Sequence, residues 1–205
     1  MTPQEWYLAV SALGFFGTAW VATKRMLWVR AVGYTAVAIL MTWYHFCQET
    51  GDCSPSEAQI KLDHIAGLWL STSTLLLFGH FRYQLAEIGY QLLCLAGAVA
   101  LVVVEQETSL LWGSLYVAGI TLPGIGITWC LRGLPAVRLP WTIAGTVLGL
   151  VAVTLFFVQE TAHSGPMIHG TFHITAALAA AFLCYGLRDP NLHENYHVWK
   201  DLLIN

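Results

Sequence analysis

Residues 168–187 read IHGTFHITAALAAAFLCYGL, and this stretch decides the architecture. It carries no Asp, Glu, Lys or Arg, and about 20 apolar residues suffice to cross a bilayer as a helix. His169 and His173 stand at its start. Four residues apart, they share one helix face. Ionisable groups at membrane depth are costly, so they mark functional sites by default.

The rest of the chain repeats the pattern. Of its 205 residues, 57% are hydrophobic and 10% charged, a composition foreign to soluble domains. Further apolar runs fall at Trp6–Thr23, Leu27–Phe46, Leu62–Phe78, Gln84–Val104, Leu110–Leu131 and Trp141–Val158. The expectation is an all-α, seven-span transmembrane bundle forming a single domain over residues 1–205. The first run has no basic stretch before it and Lys24–Arg25 after it, which is not the order of a cleavable signal peptide.

Charge predicts the orientation. Lys24, Arg25, Arg30, Arg82, Arg132, Arg138, Arg188 and Lys200 fall at one set of span ends and in the C-terminal segment, with Lys61 alone at the other. Glu5, Glu49, Asp52, Glu57, Glu105, Glu107 and Glu160 fall opposite. The positive-inside rule then puts the N-terminus outside and the C-terminus in the cytoplasm. The net charge of −3 says nothing about nucleic acid, but the lack of a basic stripe argues against such a partner.

Threaded this way, four polar residues arrive at the outer, acidic face. His45 closes the second span, Asp63 opens the third, and His169 and His173 open the seventh. Three imidazoles beside a carboxylate form the ligand set of a hydrolytic zinc centre. Singly, each has a plainer reading. His45 could sit in an aromatic belt with Trp43 and Tyr44, and Asp63 could cap its helix. Their convergence favours the metal. His64, about 100° round the helix from Asp63, faces a neighbour or headgroups instead. His163 and Ser164 belong to a solvated outer loop.

Small residues predict close helix packing: Gly145 with Gly149, Ala176 with Ala177 and Ala180, and a third-span stripe of Asp63, Gly67, Ser71 and Thr74. That stripe could instead line a cavity leading from Asp63. Pro123–Gly124 is expected to interrupt and kink the fifth span. No internal repeat is visible.

Two further patterns need weighing. His193-Glu194-Asn195-Tyr196-His197 matches the zinc-peptidase signature, but it follows Asp189-Pro190 in a short cytoplasmic tail. With Val198, Trp199, Leu202, Leu203 and Ile204 it reads better as an interfacial amphipathic segment. Of five cysteines, Cys94, Cys130 and Cys184 lie within spans or at their ends as packing residues. Cys47 and Cys53 share the outer loop, where a disulfide is favoured over ligation of the metal by Cys47. A retinal protein is disfavoured, since Lys24, Lys61 and Lys200 all lie outside the spans. No charged pore ring or pair of broken helices points to a channel or transporter.

The phrase Trp43-Tyr44-His45-Phe46-Cys47, the acidic Cys-containing loop, Leu62-Asp63 and His169-x-x-x-His173 together resemble the CREST superfamily of seven-span membrane hydrolases. Its members include alkaline ceramidases, adiponectin receptors and GPI-processing lipases, and the aromatic-His-x-Cys phrase is most similar to the myomaker branch. The resemblance implies that His45, His169 and His173 hold Zn2+ and that Asp63 positions the attacking water. The family pattern commonly has a serine four residues before the first histidine. Here that place is Met41 and the nearest hydroxyl is Thr42, which neighbours His45 one turn on. The function expected is zinc-dependent hydrolysis of an amide or ester bond in a membrane lipid. The alternative is a non-catalytic remodelling or receptor protein with a structural zinc site.

Overall fold

The computed structural model describes residues 2–50, 57–79, 84–104, 110–132, 134–162 and 165–187. Its helices are α1 (Pro3–Ser11), α2 (Gly14–Lys24), α3 (Trp28–Thr50), α4 (Glu57–Leu75), α5 (Gln84–Val104), α6 (Leu110–Arg132), α7 (Leu139–Ala162) and α8 (Pro166–Gly186). A single isolated bridge, Val137 with Leu187, is the extended pairing among the described residues.

Local chemistry sets the helix ends. Thr2 and Glu5 form a capping box on α1, with Pro3 at the first helical position. Between α1 and α2 the amides of Leu13, Phe15 and Phe16 bond three residues back, to Val10, Ala12 and Leu13. This tighter turn breaks the first apolar run in two. At the end of α2, Leu27 N–H reaches the Ala22 carbonyl and Met26 N–H the Thr23 carbonyl, with Met26 at φ 58°. That is a Schellman motif whose left-handed position carries methionine rather than the usual glycine.

Among the described residues, five helical stretches are long and apolar enough to cross a membrane: Pro3–Lys24, Ala86–Val104, Trp112–Leu131, Leu139–Phe156 and Pro166–Gly186. They are compatible with a multi-pass membrane protein. Helices α3 and α4 stand outside that set because they carry the polar groups, and several of these are buried. Arg30, His45, Thr72 and Ser73 are all shut inside the bundle. Outward, the long helices present Val32, Leu92, Val103, Leu122 and Leu150, an apolar surface suited to lipid.

Neighbour relations run in a chain. Helix α7 packs on α8, α8 on α1 and α2, α2 on α3, α3 on α4, and α4 on α5 and α6. The first two helices lie parallel to α8. Tyr7 meets Thr171, Thr18 Oγ1 donates to the Ala177 carbonyl at 2.8 Å, and Arg25 donates to the Leu187 carbonyl. Small residues work as the sequence suggests. A Cβ on Gly145 would come within 2.8 Å of Leu183, so the closeness of α7 to α8 depends on its absence. Helix α6 continues through Pro123 without interruption, which corrects the expected break. Near the proline, Tyr90 donates its hydroxyl to the Ile120 carbonyl.

Arg30 also departs from expectation. Though at a span end, it is only 2% exposed, with Nε bonded to Glu87 Oε1 at 2.7 Å and a second bond to the Ser73 carbonyl. This pair ties α3 to α4 and α5. Removing one partner from a buried pair strands the other, at about 3–5 kcal/mol, whereas replacing both is far cheaper. Glu87→Leu should therefore lower stability by about 3 kcal/mol in detergent unfolding. Adding Arg30→Met should recover most of that loss, and a double variant weaker than the single would refute the account.

Candidate metal centre

The site is built where α3 ends and α8 begins. Gly165 precedes α8 and Pro166 occupies its first turn, a residue suited to that position. His169 and His173 then project from successive turns toward His45 on α3. Ring centroids lie 4.7 Å apart for His45–His169, 4.9 Å for His45–His173 and 4.6 Å for His169–His173. One nitrogen from each ring falls within 4.8 Å of the others, so this group could hold a metal ion. Tetrahedral ligation at a Zn–N length of about 2.0–2.1 Å sets nitrogens about 3.3 Å apart, a spacing of the same order.

Hydrogen bonding points the same way. His45 has no exposed surface, and neither of its ring nitrogens has a hydrogen-bond partner. Gln48 lies close enough to feel the ring but outside hydrogen-bond geometry. A neutral imidazole offers one donor and one acceptor, and each left unmet in a buried place costs about 1–3 kcal/mol. A cation would satisfy the acceptor. His173 is 2% exposed and its Nδ1 lies 2.9 Å from Ser11 Oγ.

Asp63 and Thr42 complete the polar set. Helices α3 and α4 run antiparallel, with Tyr34 bonded to Thr74, Met41 against Gly67, and Gln59 reaching Cys47. This register sets Asp63 level with His45. Asp63 Oδ1 and Thr42 Oγ1 are both buried and without hydrogen bonds. Four unpartnered polar atoms therefore cluster over one turn of α3 and the facing turn of α4. The small stripe on α4 turns toward α3 at Gly67 and Thr74, whereas Ser71 is exposed.

Other candidates separate from the site. His64 is exposed. Cys47 is disulfide-bonded, so it offers no thiolate to a metal. Its expected partner Cys53 lies outside the described residues, as do His163, Ser164 and the His193–His197 motif. Cys94 and Cys184 are buried free thiols and Cys130 is an exposed one. Ser11 was not legible from sequence. Only the parallel course of α1 beside α8 brings it to His173.

An unmet buried hydroxyl is a cost retained for some purpose. Thr42→Val removes it without changing shape, so metal-free protein should gain about 1 kcal/mol of stability in thermal unfolding. A clear loss would mean that the hydroxyl is already satisfied.

The comparisons are sparse. The chain matches no curated protein. Residues 4–174 match the model of a family described as proteins of unknown function, DUF3522, and because that match covers most of the chain, the protein belongs to the DUF3522 family.

Proposed function

We propose that this chain is a seven-span membrane protein that hydrolyses an amide or ester bond of a lipid at a zinc centre held by His45, His169 and His173. The observation that carries the reading is the buried His45 ring, with no partner for either nitrogen, facing two more imidazoles. Three neutral imidazoles leave a coordination position open, as catalytic zinc sites do and closed structural ones do not. When bound, zinc supplies Lewis acidity, polarising a carbonyl and making nearby water more acidic.

The chain's own groups do the rest. Asp63, level with His45, accepts the proton of the attacking water and returns it to the leaving group. Thr42 Oγ1, one turn before His45, offers a hydroxyl to orient that water. The basic loop ends, cytoplasmic by the positive-inside rule, lie opposite the centre and support a site near the extracytoplasmic face, where a lipid enters sideways from the outer leaflet. The motif residues that resemble the CREST hydrolases support the same chemistry, and Met41 at the place of their serine is the departure from it.

Metal analysis of purified protein should find about one zinc per chain, lost in His45→Ala and in His169→Ala. Asp63→Asn should keep the zinc yet lower fatty-acid release from a lipid panel by about 10²–10⁴-fold. Zinc retained with no lipid cleaved by the wild type would identify the non-catalytic alternative, and no zinc at all would end both readings.

A further inference from the structure

Ser11 stands apart from the residues above: it comes from α1, is 3% exposed, and touches a proposed ligand. Its Oγ donates to the Leu8 carbonyl at 2.7 Å and lies 2.9 Å from His173 Nδ1. A hydroxyl has one proton and two lone pairs. With that proton on the Leu8 carbonyl, Oγ can only accept from His173. Nδ1 must then carry the ring hydrogen, and Nε2 keeps its lone pair. The opposite assignment would press a carbonyl oxygen and a hydroxyl lone pair together at 2.7 Å with no proton between them.

From this contact we infer that Ser11 is a positioning residue of the metal centre: it holds His173 as the Nδ1–H tautomer and so presents Nε2 to the cation. The inference rests on the metal reading above. Metal-bound histidines commonly have the other ring nitrogen held by such a partner, which sets both tautomer and ring angle.

The backbone is arranged around this contact. The helix tightens just past Ser11, where α1 gives way to α2. Gly170, next to His169, has Tyr7 and Leu8 where a side chain would stand; a Cβ there would come within 2.7 Å of the Tyr7 ring and 3.4 Å of Leu8 Cα. Tyr7 Oη lies 3.2 Å from Thr171 Oγ1 and fastens the same turn. Together these contacts bring α1 close enough for a side chain as short as serine to reach the imidazole.

Two measurements test the inference. In metal-free protein labelled with 15N-histidine, the His173 resonance, identified by its loss in His173→Gln, should show a protonated Nδ1 and a bare Nε2. Ser11→Ala should abolish that preference and Ser11→Thr should keep it. In zinc titrations against a competing chelator, Ser11→Ala should bind about 10–100-fold more weakly than wild type, with Ser11→Thr near wild type. A wild-type His173 protonated on Nε2, or one whose tautomer ignores Ser11→Ala, overturns the inference. Equal zinc affinity in wild type and Ser11→Ala also overturns it. Should the wild type bind no zinc, the metal reading fails by itself, and the nitrogen spectrum still decides what Ser11 does to His173.

Discussion

A fully enclosed imidazole with both nitrogens unbonded is the constraint around which the histidine-bearing end of this bundle is organised. His45 could be relieved by turning toward lipid or by a donor from a neighbouring helix. The chain does neither. It packs α1 against both α3 and α8, and the His169 and His173 rings of α8 close on the His45 ring. Thr42 Oγ1, one turn before it on α3, and Asp63 Oδ1, level with it on α4, are also buried without a hydrogen bond. Buried polar groups in folded proteins are satisfied in the great majority, so a cluster of exceptions on two facing helix turns marks a place kept for something else.

The other end of α3 shows the opposite solution. Arg30 is as deeply buried as His173, yet its Nε meets Glu87 and its second donor meets the Ser73 carbonyl. A buried charge that is paired and hydrogen-bonded can be structural in full. The contrast between the two levels separates roles within one bundle. The Arg30–Glu87 level holds α3, α4 and α5 together. The histidine level joins α3 to α8 by rings that meet edge-on or tilted.

How much of this was legible in the sequence depended on the range of the signal. The four-residue spacing of His169 and His173 is local, and helix geometry turns it directly into a shared face. Bringing His45 to them required only that apolar runs be counted through a bilayer, and the three rings do meet. Arg30 does stand at a span end, but its burial left no mark in the sequence, because its partner Glu87 lies 57 residues away. Ser11 was hidden for a similar reason. Its partner is 162 residues distant, and the break in the first apolar run that accompanies their contact comes from backbone bonding rather than from a glycine or proline signature at Ser11 itself. Pro123 misled in the other direction, since a long helix can absorb a proline when its neighbours meet the freed groups.

Charge balance supplies the final step. Three imidazoles bring no negative charge, and a divalent cation taken from water into a bundle of low polarity needs one nearby. Among the described side chains near this level, Glu57 is fully exposed and engaged with Lys61 at 2.5 Å, which holds its carboxyl below the usual range. Asp63 is different: it sits a turn and a half further along α4, level with His45, with one carboxylate oxygen buried and unpaired. On the proposed zinc reading its charge is the one positioned to offset the ion, and the same carboxylate is the proton acceptor for water beside it. Counter-charge and base would then be a single residue, so replacing Asp63 with asparagine, which keeps its shape, separates two consequences: weaker attraction for the cation, and loss of the proton acceptor. The neutral ligand set predicts that the second exceeds the first, because the three nitrogens supply the bonds while the carboxylate acts only through space.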